Sequence, residues 1–235
     1  MLLECVALTL AKGRGCGPLG SCYPGHGARL ITDLPDRLRE GTRDLHAQAE
    51  RAGLMTQLLA GRVTRPAYLR LLRNLHALYA ALEAGLPACD DAGLMPLPAL
   101  RREAALAADL AVLHGPRWPQ ELLLHESMVA YAQRLQDLAR ERPRLLMAHA
   151  YLRYLGDLNG GQLLRRQVER ALGAPAGLSF YDFGLPDQVL TLRTQVREAL
   201  ARLPVRDEAE ATRLVDEARW GFRQHQRLFE GLGAG

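Results

Sequence analysis

Apolar and polar residues follow the period of an amphipathic α-helix along most of this chain. The clearest stripe begins after Thr64, a residue type favoured at helix N-caps, and repeats apolar side chains three and four positions apart as far as Leu82. No stretch shows the two-residue period of a β-strand, and no internal repeat is present. The pattern therefore predicts an all-α fold with short connections.

Proline, glycine and capping residues divide the pattern into successive helices. Pro35 stands where the first helix should begin, and Gly53 where it should stop. A proline-rich break at 94–98 precedes the third helix, which should end at Gly115. Ser127 is predicted to cap the next helix. Later helices are predicted from Pro143 to Gly173, from Pro186, and from about Asp207 to Leu232.

The segment 148–166, AHAYLRYLGDLNGGQLLRR, is the least ordinary of these helices because Gly156, Gly160 and Gly161 lie inside it. A glycine within a helix costs about 1 kcal/mol relative to alanine, so three glycines require roughly 3 kcal/mol of compensation. At helical spacing, the bare backbone shares a face with Asp157. A closely packed helix and a flat ligand would both explain this face, and the spacing alone leaves both open.

Composition is that of a folded globular protein, with 235 residues, 48% of them apolar and 24% charged. Residues 1–30 are glycine-rich and lack a helical period, which predicts a poorly ordered N-terminal extension before one helical domain at 31–235. The net charge is +4, but the basic residues are interspersed with 26 acidic ones and form no long run. Nucleic-acid binding is therefore not expected.

Cysteine usage predicts a reducing, cytoplasmic location. Cys5, Cys16 and Cys22 fall in the predicted extension, Cys89 stands alone, and no C-x-x-C pair occurs. The opening apolar run is short and carries Glu4 where a signal peptide has basic residues. Neither a signal peptide nor a membrane anchor is expected.

Seven histidines are candidate ligands, but no pair has the H-E-x-x-H spacing and the paired E-x-x-H motifs of a di-iron bundle are missing. A metal held only by side chains is therefore not expected, whereas a single histidine ligand to haem is compatible with the pattern. His46 has small neighbours such as Thr42, which would leave room for a porphyrin face, and Glu50 could orient the imidazole. A hydrogen-bonded structural role for His46 stays open, and His76 and His149 have similar claims.

Five segments together carry a family resemblance. They are LHAQAERAGLM around His46, HALYAALE around Tyr79, GPRW at 115–118, the glycine-bearing segment 148–166, and LFEGL near the C-terminus. Together they resemble haem oxygenase, in the branch similar to the mammalian and related bacterial enzymes, from about residue 35 onward. The YLGDLNGGQ run is the specific one. The resemblance implies a helical bundle that holds haem between a proximal helix and a kinked, glycine-rich distal helix.

On the haem-binding side, the resemblance implies that His46 is the proximal iron ligand and that Glu50 lies beside it. Tyr151 and Gly161 are implied to contact the haem. Arginines stand where family members carry lysines that meet the haem propionates, and this change keeps the charge and adds bidentate geometry. These arginines are Arg39 and Arg43, with Arg193 as a further match.

On the distal side, the resemblance implies that the backbone of Gly156 and Gly160 packs over the haem face. Asp157 is implied to be the distal carboxylate, acting through ordered water together with Tyr79 and Arg153. A carboxylate acting through water can deliver a proton without cleaving the O–O bond prematurely. A neutral histidine ligand also promotes that cleavage less than a thiolate ligand does.

The implied reaction uses haem as both cofactor and substrate. Dioxygen and an external electron donor would open the ring, with cleavage expected at the α-meso carbon, and give biliverdin, carbon monoxide and ferrous iron. The implied partners are a redox protein (ferredoxin, flavodoxin or an NADPH-dependent reductase) and a biliverdin acceptor such as a bacteriophytochrome. Two alternatives remain: a non-catalytic haem-binding or storage protein, and a haem-free enzyme like the thiaminase-related proteins. The second would need a nucleophilic cysteine in the core, whereas Cys89 is predicted to lie between helices.

Overall fold

A computed structural model describes residues 34–173 and 176–233. The predicted N-terminal extension, with its three cysteines, lies outside the described residues. Within the described ranges every regular element is helical and there is no strand, so the all-α prediction is confirmed. No helix in the described part of the chain is both long and apolar enough to cross a lipid bilayer.

The helices follow one another with short connections. The α-helices are α1 (Leu34–Ala49), α2 (Gly53–Leu59), α3 (Arg65–Gly85), α4 (Leu97–Leu100), α5 (Glu103–His114), α6 (Trp118–Glu121), α7 (Glu126–Glu141), α8 (Leu146–Ala150), α9 (Gly156–Leu172), α10 (Pro186–Arg202) and α11 (Glu208–Gly233). Short 3₁₀ turns cover Leu86–Ala88, Asp90–Leu94, Pro143–Leu145 and Ser179–Tyr181, and one π-helical turn covers Tyr151–Leu155.

Helix α3 runs through the core, as its apolar stripe predicts. The Thr64 hydroxyl accepts a hydrogen bond from the Ala67 backbone N–H, which confirms the predicted N-cap. The side chains of Tyr68, Leu72 and Tyr79 are fully buried. Helix α3 packs against α5 and α7, while α11 packs against α1, α2 and α7. These contacts bring α1, α3 and α11 around a common interior.

Glycine permits a close contact between α2 and α11. Gly53, the predicted stop of the first helix, is the first residue of α2 and has a φ of +29°. A Cβ atom placed there would lie 2.2 Å from the carbonyl oxygen of Phe229. No larger residue could occupy this position without moving α11.

Two of the predicted boundaries differ from the structure: Gly53 begins α2 rather than ending α1, and Ser127 does not cap α7. Ser127 is not the cap of α7, because the helix begins at Glu126 and the His125 imidazole Nδ1 accepts the Ser127 backbone N–H at 3.2 Å. The segment predicted as one helix from Pro143 to Gly173 is helical without a break, but it begins with a 3₁₀ turn and contains the π turn Tyr151–Leu155. Its predicted end is confirmed, since Gly173 is a left-handed C-cap.

Candidate functional site

A cavity of about 140 Å³ lies where α1, α2, α3, α9 and α11 converge. Most of its lining is apolar and is supplied by leucines of α2, α3 and α9 and by aromatic residues of α11 and of the 3₁₀ turn at 179–181. Charged and polar side chains line the remainder. They are His46, Glu50, Arg153, Asp157, Tyr181 and His225.

The imidazole of His46 lies at one end of this cavity, in the last turn of α1. Its side chain is 47% exposed, so the cavity opens to solvent here. The edge of the ring faces Phe222 at a centroid distance of 5.8 Å. Its Nδ1 lies 3.5 Å from Glu50 Oε1, which is long for a hydrogen bond but close enough for Glu50 to orient the ring.

The glycine-bearing helix contributes backbone to the same cavity through Gly156 and Gly160. A Cβ atom placed on Gly156 would meet no heavy atom within 4 Å. At Gly156, therefore, no neighbouring helix requires the absence of a side chain. Gly161 differs, because its Cβ would lie 3.7 Å from Tyr181 Cδ1 and Gly161 does not line the cavity.

A buried ion pair forms the polar part of the lining. Arg153 Nη2 lies 2.7 Å from Asp157 Oδ1, and both side chains are almost completely buried. The Tyr79 hydroxyl, which is fully buried, donates a hydrogen bond to Asp157 Oδ2. Arg153 Nε donates to the same hydroxyl oxygen at 3.2 Å. Tyr79 therefore lies one hydrogen bond behind the cavity and supports the carboxylate from α3.

Burial decides the electrostatics of this cluster. It raises the pKa of Asp157 above its ordinary value, although Arg153 and the Tyr79 hydroxyl both favour the carboxylate. Burial also raises the pKa of Tyr79 well above its ordinary value. Burial opposes the charge on Arg153, but Asp157 and Tyr79 outweigh that effect and its pKa is raised. The cluster therefore holds one permanent positive charge beside a carboxyl group that binds a proton more readily than usual.

The position of Arg153 depends on the π turn at Tyr151–Leu155, which immediately precedes Gly156. A π turn adds a residue to one turn of a helix and is common at functional sites. The π turn lies just before Gly156, whereas helix kinks are usually expected at a glycine pair such as Gly160 and Gly161. The pattern of apolar, capping and glycine residues does not indicate this π turn.

Six of the residues implied by the resemblance do not line the cavity as defined by the described residues: Tyr79 and Gly161, described above, and Arg39, Arg43, Arg193 and Tyr151. Arg39 and Arg43 on α1 are 65% and 71% exposed, and each lies within 4 Å of an acidic residue of its own helix. Arg193 is on α10, which packs against α1. Tyr151 lies in the π turn, and burial raises the pKa of its hydroxyl.

Sequence reasoning missed several residues that line the cavity. Phe222, His225 and Phe229 come from α11, and their spacings of three and four residues place them on one helix face. Phe180 and Tyr181 come from a 3₁₀ turn. The helical spacing on α11 could have indicated a shared face, but nothing in the sequence indicated which interior that face meets.

The other candidate histidines of the described chain lie elsewhere. His149 is fully buried, with Nδ1 2.7 Å from the Tyr131 hydroxyl and Nε2 3.1 Å from Glu217 Oε1. His76 lies 3.3 Å from Glu103. Of the histidines within 34–173 and 176–233, only His46 and His225 line the cavity. Across these same ranges, no three His, Cys, Asp or Glu side chains are grouped so as to hold a metal ion.

These features define an all-α protein in which a half-exposed histidine, bare helix backbone and a buried arginine–aspartate pair line one apolar cavity. A family model described as Heme oxygenase matches residues 32–231. The chain belongs to the haem oxygenase family.

Relatives and solved structures agree with this membership. The chain is 35% identical over 207 residues to Heme oxygenase 1 of Synechocystis sp., with 86% of each protein covered. The crystal structure of heme oxygenase-2 from Synechocystis sp. in complex with heme and NO superposes with a TM-score of 0.81 at 36% identity, covering 85% of each chain. Heme oxygenase from Leptospira interrogans gives a TM-score of 0.79 at 32% identity, covering 84% of this chain and 98% of that one.

Proposed function

We propose that this protein is a haem oxygenase that converts haem, with dioxygen and an external electron donor, to biliverdin, carbon monoxide and ferrous iron. The observation that carries the proposal is the cavity shared by His46, Gly156 and Asp157. It combines the half-exposed imidazole of His46, backbone without side chains, and a carboxyl group with a raised pKa. Family membership supports the same reaction.

The residues of the cavity fit haem in their chemistry. The apolar lining suits a porphyrin, and the Gly156 backbone allows a flat ring to approach because a Cβ there would have no neighbour within 4 Å. The volume of about 140 Å³ is smaller than the roughly 300–1,000 Å³ of typical ligand pockets, so haem binding has to widen the cavity.

His46 would hold the haem iron through its imidazole, and Glu50 would orient that ring. Bound haem supplies the iron at which dioxygen is activated and the ring that is cleaved. Gly156 and Gly160 would allow the opposite face of the ring to lie against helix backbone. We also include Tyr151 and Gly161 in the haem environment.

Asp157 would hold a proton on its carboxyl group and transfer it through ordered water. The raised pKa favours the protonated form at higher pH than an exposed aspartate would allow. Arg153 donates to Oδ1 and the Tyr79 hydroxyl donates to Oδ2, so these two hydrogen bonds fix the orientation of the carboxyl group. Asp157 would act through ordered water, so the carboxyl group would not be an acid in direct contact with the substrate.

Arg39, Arg43 and Arg193 would bind the haem propionates and set the orientation of the ring, with cleavage at the α-meso carbon. The exposure of Arg39 and Arg43 supports this role, because both pair only with acidic residues on the surface of α1, which a propionate could replace. We propose a ferredoxin, a flavodoxin or an NADPH-dependent reductase as the electron donor, and a biliverdin acceptor such as a bacteriophytochrome. We propose the cytoplasm as the location.

Reconstitution tests this function directly. The full chain is titrated with hemin, and a reductant and oxygen are then added while the visible spectrum is followed. A Soret band that is replaced by a green pigment, with release of carbon monoxide, is the expected result. A stable Soret band would indicate non-catalytic haem binding, and the absence of a Soret band would indicate a haem-free protein. Chromatography of the biliverdin isomers tests α-meso cleavage.

A further inference from the structure

Every nitrogen of the Arg153 guanidinium has its own partner. Nε donates to the Tyr79 hydroxyl of α3 at 3.2 Å, and Nη2 pairs with Asp157 of α9 at 2.7 Å. The third nitrogen, Nη1, lies 3.2 Å from Nε2 of His225 on α11. Three helices therefore fix one planar group, and His225 supplies the contact that no sequence motif indicated.

The partners of His225 define its tautomer. Its Nδ1 lies 2.9 Å from the carbonyl oxygen of Gly221, which can only accept, so Nδ1 carries the proton. Nε2 then has a lone pair and accepts the hydrogen bond from Arg153 Nη1. Gly221 also lets α11 come close, because a Cβ at this position would lie 2.6 Å from the Tyr131 hydroxyl oxygen.

The groups around His225 keep its imidazole neutral. The side chain is 97% buried, and its ring faces Tyr131 of α7 at 5.4 Å and Phe229 of its own helix at 6.1 Å. Burial, followed by the charge of Arg153 and with a smaller contribution from His149, lowers the pKa of His225 to about 3. A neutral imidazole is the form that can accept from Arg153, so the electrostatics and the geometry agree.

We propose that His225 is a positioning residue for the haem oxygenase reaction: it fixes the guanidinium of Arg153 and thereby sets the direction and proton affinity of the Asp157 carboxyl group. This inference rests on the proposed function, since Asp157 is given its proton-transfer role there. A hydrocarbon at position 225 would leave Nη1 without this acceptor and allow the guanidinium to rotate away from Oδ1.

The test compares His225→Leu, which removes the acceptor, with His225→Gln, whose amide oxygen can accept from Arg153. The control is Gln224→Leu, since Gln224 is buried on the same helix but does not line the cavity. Nuclear magnetic resonance on the haem-free full chain follows the Asp157 carboxyl carbon through a pH titration and the solvent exchange of the Arg153 Nε proton.

In His225→Leu, the Asp157 pKa should rise further because Arg153 no longer favours the carboxylate, and Arg153 Nε–H exchange should become at least about tenfold faster. The glutamine variant should remain close to the wild type, as should Gln224→Leu. An unchanged Asp157 titration in the leucine variant, or an equal shift in Gln224→Leu, would overturn the proposal. Biliverdin formation at saturating hemin should slow by about tenfold in His225→Leu and recover in His225→Gln.

A measurement on the wild-type protein covers the case in which the leucine variant does not fold. The imidazole nitrogen shifts of His225 should report a neutral ring protonated at Nδ1, with a hydrogen-bonded Nε2, at neutral pH. A charged ring or the opposite tautomer would contradict the proposal. Because these readouts need no haem, they stay interpretable if reconstitution gives no pigment, and the two failures can be told apart.

Discussion

Replacing Gly156 with alanine tests whether the missing side chain at this position is needed for folding or for binding a ligand. Gly156 has ordinary helical angles, φ −59° and ψ −49°, which alanine adopts readily. The added methyl group would meet no heavy atom within 4 Å. The haem-free protein should therefore gain about 0.5–1 kcal/mol of unfolding free energy from improved helix propensity. For a chain of this size, that gain corresponds to a rise in Tm of about 1–4 °C.

The same methyl group should weaken haem binding if the ring packs against this backbone. Adding a methyl group to a close-packed contact typically costs about 1–3 kcal/mol. Since about 1.4 kcal/mol corresponds to a factor of ten in affinity, the Kd for hemin should rise roughly 5- to 150-fold. The substitution should thus stabilise the free protein and weaken the complex.

Thermal unfolding of the haem-free protein and a hemin titration followed at the Soret band measure the two effects. Gly93→Ala is the control, because a Cβ atom there would also meet no heavy atom within 4 Å and Gly93 lies in the 3₁₀ turn Asp90–Leu94, outside the cavity lining. This control should leave the hemin affinity unchanged. If Gly156→Ala bound hemin as tightly as the wild type, the bare backbone would not be a ligand surface. If it lowered the Tm, the space inferred beside Gly156 would be wrong.

Three further substitutions test the site and the buried network behind it. His46→Ala should lose the optical signature of an axial imidazole, and retention of that signature would assign the iron ligand to another residue. Asp157→Ala should keep haem bound but give a lower biliverdin yield in a single turnover, whereas an unchanged yield would remove Asp157 from the mechanism. Burial raises the pKa of Glu217, but hydrogen bonds from His149 and Arg134 outweigh it and hold the pKa at about 2. Because this pKa is depressed, Glu217 stabilises the fold above pH about 4.5, by about 3 kcal/mol, and this contribution is lost as pH falls toward about 2. Urea unfolding across this range should show the difference between wild type and Glu217→Gln largest at neutral pH and closing in acid; a difference independent of pH would contradict the assignment.

Local sequence was sufficient for the long helices and some of their ends, but not for the short helices α2, α4 and α6. Period, caps and breaks act over one or two turns, so Thr64 as an N-cap and Gly173 as a C-cap could be predicted without tertiary contacts. Ser127 failed as a cap because the imidazole of His125, two residues earlier, accepts the backbone N–H instead. Histidine is not among the residue types that usually signal an N-cap.

The sequence by itself determined an all-α domain, a helix with three interior glycines beside a carboxylate, and, through its motifs, the family. Only the tertiary structure decided that His46, rather than His76 or His149, lines the cavity together with that helix. It also decided that His225 joins them there. Helical period assigns a residue to a face, but which interior the face meets depends on contacts between residues far apart in the chain. Arg153 and His225 are 72 positions apart, and a π turn sets the direction of the arginine, so their contact exists only once the helices have packed.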